Sequence, residues 1–182
     1  MHGSDRDSAR DRSERKHRVF FALWPNELTR TALVRATQSA VGQAAGRPTP
    51  HENLHVTLAF IGAVSEAELA RIRQISPPRV GRFEFAIDTL GFRKRARLLW
   101  AAPGTMPPAL LALEARLWDR LDELGLERDR RAYRPHVTLV RKADVVSETI
   151  PPVRWPVTEI VLVESRLGPP QSTYEILETW PL

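Results

Sequence analysis

Asn53-Leu-His-Val-Thr-Leu-Ala-Phe-Ile61 and Tyr133-Arg-Pro-His-Val-Thr-Leu-Val-Arg141 carry the same tetrapeptide, His-Val-Thr-Leu, at 55–58 and at 136–139. Both runs are rich in branched and apolar residues and read as strands. The first covers 53–61 and is closed by Gly62; the second covers 133–142. Side chains two apart in a strand share a face, so His55 lies beside Thr57 and His136 beside Thr138. Val56, Leu58 and Phe60, and in the second copy Val137 and Leu139, take the opposite face and are expected in a core. Each strand then presents an imidazole and a hydroxyl about 6.6 Å apart. A pseudo-symmetric pair of such strands sets two histidines and two threonines around one groove. That kit suits phosphoester chemistry. One imidazole takes a proton while the other gives one, and the hydroxyls donate to phosphate oxygens. None of this requires a metal. A single His-x-Thr is ordinary in a half-buried strand; the repeat in matching context carries the reading.

The elements around these strands define an α+β chain with antiparallel sheets. Residues 18–24 form a buried strand. A helix follows over 25–44, with Pro25 in its first turn and Leu28, Ala32, Leu33, Ala36, Ala40 and Val41 at helical spacing. Ser65-Glu-Ala-Glu68 is a capping box that opens a helix to about residue 75, and Pro77-Pro78 ends it. Strands are expected at 83–87 and 98–101, joined by a basic turn, Arg93-Lys-Arg-Ala-Arg97. A solvated hairpin is the plain reading of that turn. Residues 107–125 form an amphipathic helix with Leu110, Leu113, Leu117, Leu121 and Leu124 on one face. Residues 143–154 read as irregular, and 155–166 and 173–179 as the closing strands.

Composition excludes several classes. The 182 residues are 42% hydrophobic and 27% charged, globular proportions that suit one domain. Cysteine is absent, which removes disulfide and thiolate chemistry. Residues 1–17 are polar, carry both signs of charge and hold almost no apolar side chain, so a disordered tail is expected there and a single domain over 18–182. No apolar run is long enough to span a bilayer, and the start of the chain has no signal-peptide core. A cytoplasmic protein without membrane contact is expected. The net charge of +5 is compatible with a polyanionic partner such as RNA.

His51-Glu-Asn-Leu-His55 matches the H-E-x-x-H pattern of zinc proteases. That pattern works only on a helix, where histidines four apart share a face. Pro48 and Pro50 precede it and a strand follows, so no metal site is expected and no cofactor is assigned.

With both tetrapeptides in view, the chain resembles the 2H phosphoesterase superfamily, and within it the RNA 2′,3′-cyclic phosphodiesterases, also called the 2′-5′ RNA ligase family. The likeness runs from Arg18 to Leu182. It includes Arg18-Val-Phe-Phe-Ala-Leu23, both strands above, Leu98-Leu-Trp100, Trp155-Pro-Val157, Ser165, Tyr174 and Trp180-Pro-Leu182. The resemblance implies a bilobal, pseudo-two-fold fold, with antiparallel sheets lining a central groove and helices outside. It implies His55 and His136 as catalytic groups, Thr57, Thr138 and Arg141 as phosphate contacts, and Phe21 as a platform for a base. Strict alternation points Arg141 away from the groove, so a bulge or the strand end must turn it back. Two departures are notable: Tyr133 stands where phenylalanine is common, and 46–50 lacks a tryptophan often found there.

The function so implied is hydrolysis of RNA or nucleotide 2′,3′-cyclic phosphate ends to 2′-phosphates by a monomer, with 2′-5′ ligation as the reverse. His55 is taken as acid and His136 as base. The alternatives are a non-catalytic RNA- or phosphate-binding module, or a 2H phosphodiesterase acting on a small cyclic nucleotide.

Overall fold

The two repeated strands meet side by side at the centre of an eight-stranded antiparallel sheet, in a computed structural model that describes residues 16–76, 78–129, 131–168 and 172–182. β1 (Lys16–Leu23) leads to α1 (Glu27–Gln43) and a two-residue β2 (Arg47–Pro48). β3 (Val56–Ser65) carries the first repeat into α2 (Glu66–Arg73). β4 (Phe83–Ile87), β5 (Thr89–Arg93) and β6 (Leu98–Ala102) precede α3 (Pro108–Asp122). β7 (Val137–Arg141) carries the second repeat, and β8 (Val153–Val157), β9 (Glu159–Arg166) and β10 (Thr173–Pro181) complete the chain. The large sheet has the order β10-β9-β1-β3-β7-β6-β5, with β2 also on β7; β4 and β8 form a separate two-stranded sheet.

β3 and β7 share one residue pair, Val56 opposite Val137. Four strands lie on one side of this seam and β7, β6, β5 and β2 on the other, so the sheet has two halves about the repeats. One face is the core. Val19, Phe21, Leu23, Val56, Val137, Leu99 and Leu162 are fully or nearly fully buried there with the helices' apolar residues. α3 supplies Leu110, Leu113, Leu117 and Leu121, all fully buried. At helical spacing they form one stripe, each contributing roughly 1.5–3 kcal/mol on burial. Glu114 lies in the same stripe and is paired by Arg128 at 2.6 Å. α1 is capped by Asn26, whose side chain accepts from Thr29 N, and α2 by the reciprocal Ser65–Glu68 box.

Several expectations are corrected. β1 begins at Lys16, because His17 is held by Glu66 and Glu164 at 2.8 and 2.7 Å; the remaining tail, 1–15, lies outside the described residues. Pro25 precedes the cap of α1 rather than standing in its first turn, and Leu28 is exposed. α2 ends at Arg73, before the prolines, and Leu124 lies past the end of α3 and is only partly buried. Gly62 does not close β3; its positive φ of 89° lies within an irregularity, and the strand runs on to Ser65. The segment between β4 and β6 holds an additional strand, β5, which takes β6 as partner and leaves β4 to pair with β8. The strand expected at 155–166 is two strands, broken at Thr158, and β8 begins inside the stretch read as irregular. The second repeat's strand starts at Val137, since 132–136 form no ladder.

Candidate active site

The Val56–Val137 pair sets the site. In an antiparallel register that pair puts Thr57 level with His136 and His55 level with Thr138. Both valines are fully buried, so the four flanking side chains face the other way, and beside them opens a groove of about 510 Å³. Thr57 and Thr138 line it, together with Phe20, Phe60, Arg18, Arg47, Arg141 and Tyr174.

Each histidine is anchored the same way. His55 Nδ1 donates to Asn53 O at 2.7 Å and His136 Nδ1 to Arg134 O at 2.9 Å, two residues back in both cases. That bond leaves Nε2 of each ring available to a ligand. Their surroundings differ. His55 stacks on Trp24 at 5.1 Å with an interplanar angle of 4°, and Phe20 and Tyr174 close two further sides at 5.0 and 5.4 Å. Burial in this aromatic box lowers its pKa to about 4, with the charges of His136 and Arg141 acting in the same direction against the Asn53 hydrogen bond. Among the described residues His136 has one aromatic neighbour, Trp100, edge-on at 6.4 Å.

A matched irregularity re-aims the residues that follow. Opposite β1, the pairs run Phe20–Phe60, Phe21–Ala59, then Ala22–Thr57, so Leu58 is an extra residue in β3. Opposite β6, they run Leu98–Arg141, Leu99–Val140, then Trp100–Thr138, so Leu139 is an extra residue in β7. The leucine of each His-Val-Thr-Leu is therefore the bulge, and it reverses the alternation beyond it. The fifth residue after each histidine, Phe60 or Arg141, is returned to the groove face. This is the bulge that Arg141 required. It corrects Phe60, expected in the core and 48% exposed here with Arg18 lying 4.6 Å over its ring. Leu139 O, displaced from the ladder, accepts from Thr49 N at 2.8 Å.

Phe21 is the second correction. It is fully buried against Trp180 on the core face and presents no surface to a ligand. Phe20, one residue earlier, faces the groove. β1 is buried on both faces, with Val19, Phe21 and Leu23 in the core and Phe20 and Ala22 under Trp24 and Tyr174, so its sequence has no polar alternation to mark the groove side. Trp24, Phe60, Trp100 and Tyr174 escape sequence reasoning for the same reason: aromatic residues in strands read as core. His51, Glu52 and Asn53 form a single 3₁₀ turn, not the helix a zinc protease pattern needs, and His51 is exposed.

The geometry supplies two imidazoles with free Nε2 atoms, a hydroxyl level with each and an arginine around one open groove. Such a site can bind a phosphoryl group and move protons on two sides of it. The 2′-5′ RNA ligase superfamily matches residues 25–169 of the chain. The RNA 2′,3′-cyclic phosphodiesterase of Escherichia coli (strain K12) is 33% identical over 172 residues, covering 91% of this chain and 96% of that protein. That of Thermus thermophilus is 31% identical, covering 91% and 90%. Crystal structures of E. coli LigT, in apo form and with 3′-AMP, superpose with TM-scores of 0.78 and 0.77 at 29% identity; both cover 92% of this chain, and 98% and 99% of those chains. Motif, sheet topology and relatives agree, and the chain belongs to the 2′-5′ RNA ligase superfamily.

Proposed function

We propose that the protein hydrolyses the 2′,3′-cyclic phosphate end of RNA or a nucleotide, leaving a 2′-phosphate, by two-histidine acid–base catalysis without a metal. The observation that carries this reading is the pair of Nδ1-anchored imidazoles, each level with the other repeat's threonine across the seam. The cyclic phosphate sits between them. Thr57 and Thr138 donate to its non-bridging oxygens, and Arg141 offsets its charge. Neutral His55 takes a proton from water at Nε2 as the water oxygen bonds to phosphorus. The bond from phosphorus to the ribose 3′-oxygen breaks, and His136 Nε2 supplies the proton that oxygen gains.

This reverses the acid–base order taken from the sequence. The aromatic box disfavours an imidazolium at His55, so its resting state is that of a base. Run backwards with a 5′-hydroxyl in place of water, the same transfers give a 2′-5′ linkage. The protein is proposed to work as a monomer, with 18–182 as its functional domain and Lys16 and His17 as part of the first strand.

The test is incubation with EDTA present, using wild type and His136→Ala on a short RNA ending in a 2′,3′-cyclic phosphate. Conversion to a 2′-phosphate by wild type alone is expected. A folded wild-type protein that binds this RNA without turnover would mark a phosphate-binding module instead.

A further inference from the structure

Outside the histidine centre, the groove face carries a second feature, at the end of β7. Arg47 on β2 pairs in register with Arg141 on β7; Arg141 pairs with Leu98 on β6; Leu98 pairs with Arg93 on β5. Residues directly opposite in a sheet share a face, so three arginines stand in one row across four strands spaced about 4.8 Å apart. Trp100, on the same face of β6, confirms the side: it pairs with Thr138 and covers Gly91 of β5. Just beyond the row, Lys94 and Arg95 form the exposed tip of the β5–β6 hairpin.

Two properties separate this row from an ordinary solvated surface. It is uncompensated: among the described residues no carboxylate pairs with Arg47, Arg93, Lys94, Arg95 or Arg141, whereas Asp144, which reaches the hairpin, is taken by Arg97 at 2.7 Å. Like charges directly opposite in a sheet are destabilising, so the Arg47–Arg141 pair costs stability in the absence of an anion. It is also held in place. Ala143 N donates to Arg97 O at 2.8 Å and Arg97 Nε to Ala143 O at 3.2 Å, tying the hairpin to the end of β7. The strap before Arg47 is equally close. A Cβ at Gly46, whose φ is 79°, would stand 2.5 Å from Arg141 O and 2.7 Å from Lys142 O. The fold has thus already immobilised the backbone that carries these cations, which lowers the ordering cost of binding.

We propose that the Arg47–Arg141–Arg93 row and the Lys94–Arg95 tip form a track for the phosphates of the single-stranded RNA chain that precedes the cyclic end, so that the substrate is an RNA strand rather than a mononucleotide. This rests on the cyclic-phosphate reading of the histidine centre. Arg141 marks where the reacting phosphate's site ends and the track begins. The track reads charge, not sequence, and its contribution is salt-dependent.

The experiment compares wild type with Arg93→Ala/Lys94→Ala/Arg95→Ala on two substrates, a short single-stranded RNA with a 2′,3′-cyclic end and a nucleoside 2′,3′-cyclic monophosphate, with thermal melts verifying the fold. The variant is expected to lose roughly ten-fold in kcat/KM on the RNA and to be unchanged on the monophosphate. Fluorescence anisotropy with a single-stranded RNA ending in a plain 3′-phosphate should show the slope of log affinity against log salt falling in the variant by about 2, at about 0.7 for each phosphate that the variant no longer neutralises. An unchanged ratio between the substrates, equal losses on both, or equal salt slopes would overturn the track. If wild type turned over neither substrate, the activity reading would fail, and the anisotropy slopes would decide the track alone.

Discussion

His55 and His136 have the same anchor and different surroundings, and at the residue scale that difference is what the proposed division of roles rests on. Each is predicted to be worth 10²–10⁴-fold in kcat, so His55→Ala and His136→Ala should lose turnover by that much while RNA binding persists. The pH profile separates the two. As the base, His55 must be unprotonated, and the acid limb of kcat/KM should fall through about pH 4. A bound phosphate anion favours the imidazolium, so the acid limb of kcat should lie higher than that of kcat/KM. Coincident limbs near pH 6.5 would remove His55 from the base role. Stability carries the same signature. His55 titrates at about 4 when folded and 6.5 in its ordinary state. Between those values the unfolded chain holds a proton that the folded chain does not, and acid favours unfolding. Above that window neither state holds it, and below it the loss is complete. Denaturant titrations should show stability falling from pH 6.5 to 4 by at most about 1.4 kcal/mol per pH unit, and His55→Asn should flatten that slope.

At the scale of elements, the bulges at Leu58 and Leu139 make the site. Without them strict alternation would bury Phe60 and Arg141 behind the sheet. On the proposed mechanism Arg141→Ala removes one charge-assisted contact to phosphate, worth about 1.5–3 kcal/mol, and should lower kcat/KM by roughly ten- to a hundred-fold while raising rather than lowering the melting temperature, because it relieves the Arg47–Arg141 like-charge pair. β5 has its own role beneath Trp100. The Trp100 ring occupies the space that a Cβ at Gly91 would need. Gly91→Ala therefore has to displace the indole that borders His136, and should reduce kcat more than it raises KM. Unchanged kinetics in a folded Gly91→Ala protein would show that Trp100 has no part in positioning His136.

Across the whole molecule, a side-chain hydrogen bond joins the two repeats in addition to their backbone pair: Tyr133 O–H donates to Thr57 O at 3.1 Å. Burial raises the Tyr133 pKa, with the charge of Glu114 adding to it, so the phenol stays a donor at any working pH. Tyr133→Phe should cost about 1 kcal/mol in unfolding free energy and leave the acid limb of kcat/KM unmoved. Among the described residues no helix is long and apolar enough to cross a membrane. The fold class, the helices, the capping box and the pairing of each histidine with a threonine on one strand face were legible in the chain, because period and repeat are local properties. So was the need for a bulge to bring Arg141 round, though not its position. Which aromatic residues face the groove was not legible, since both faces of β1 are buried. The tail's end at Lys16, the extra strand at Thr89–Arg93, the exchange of Phe21 for Phe20 and the row of arginines all depend on cross-strand register. Sequence alone determined the chemistry this protein carries, two imidazoles and two hydroxyls at a two-residue period. Only the tertiary structure decided which histidine is boxed by aromatic rings and which cations stand together, because packing and register arise from strands far apart in the chain.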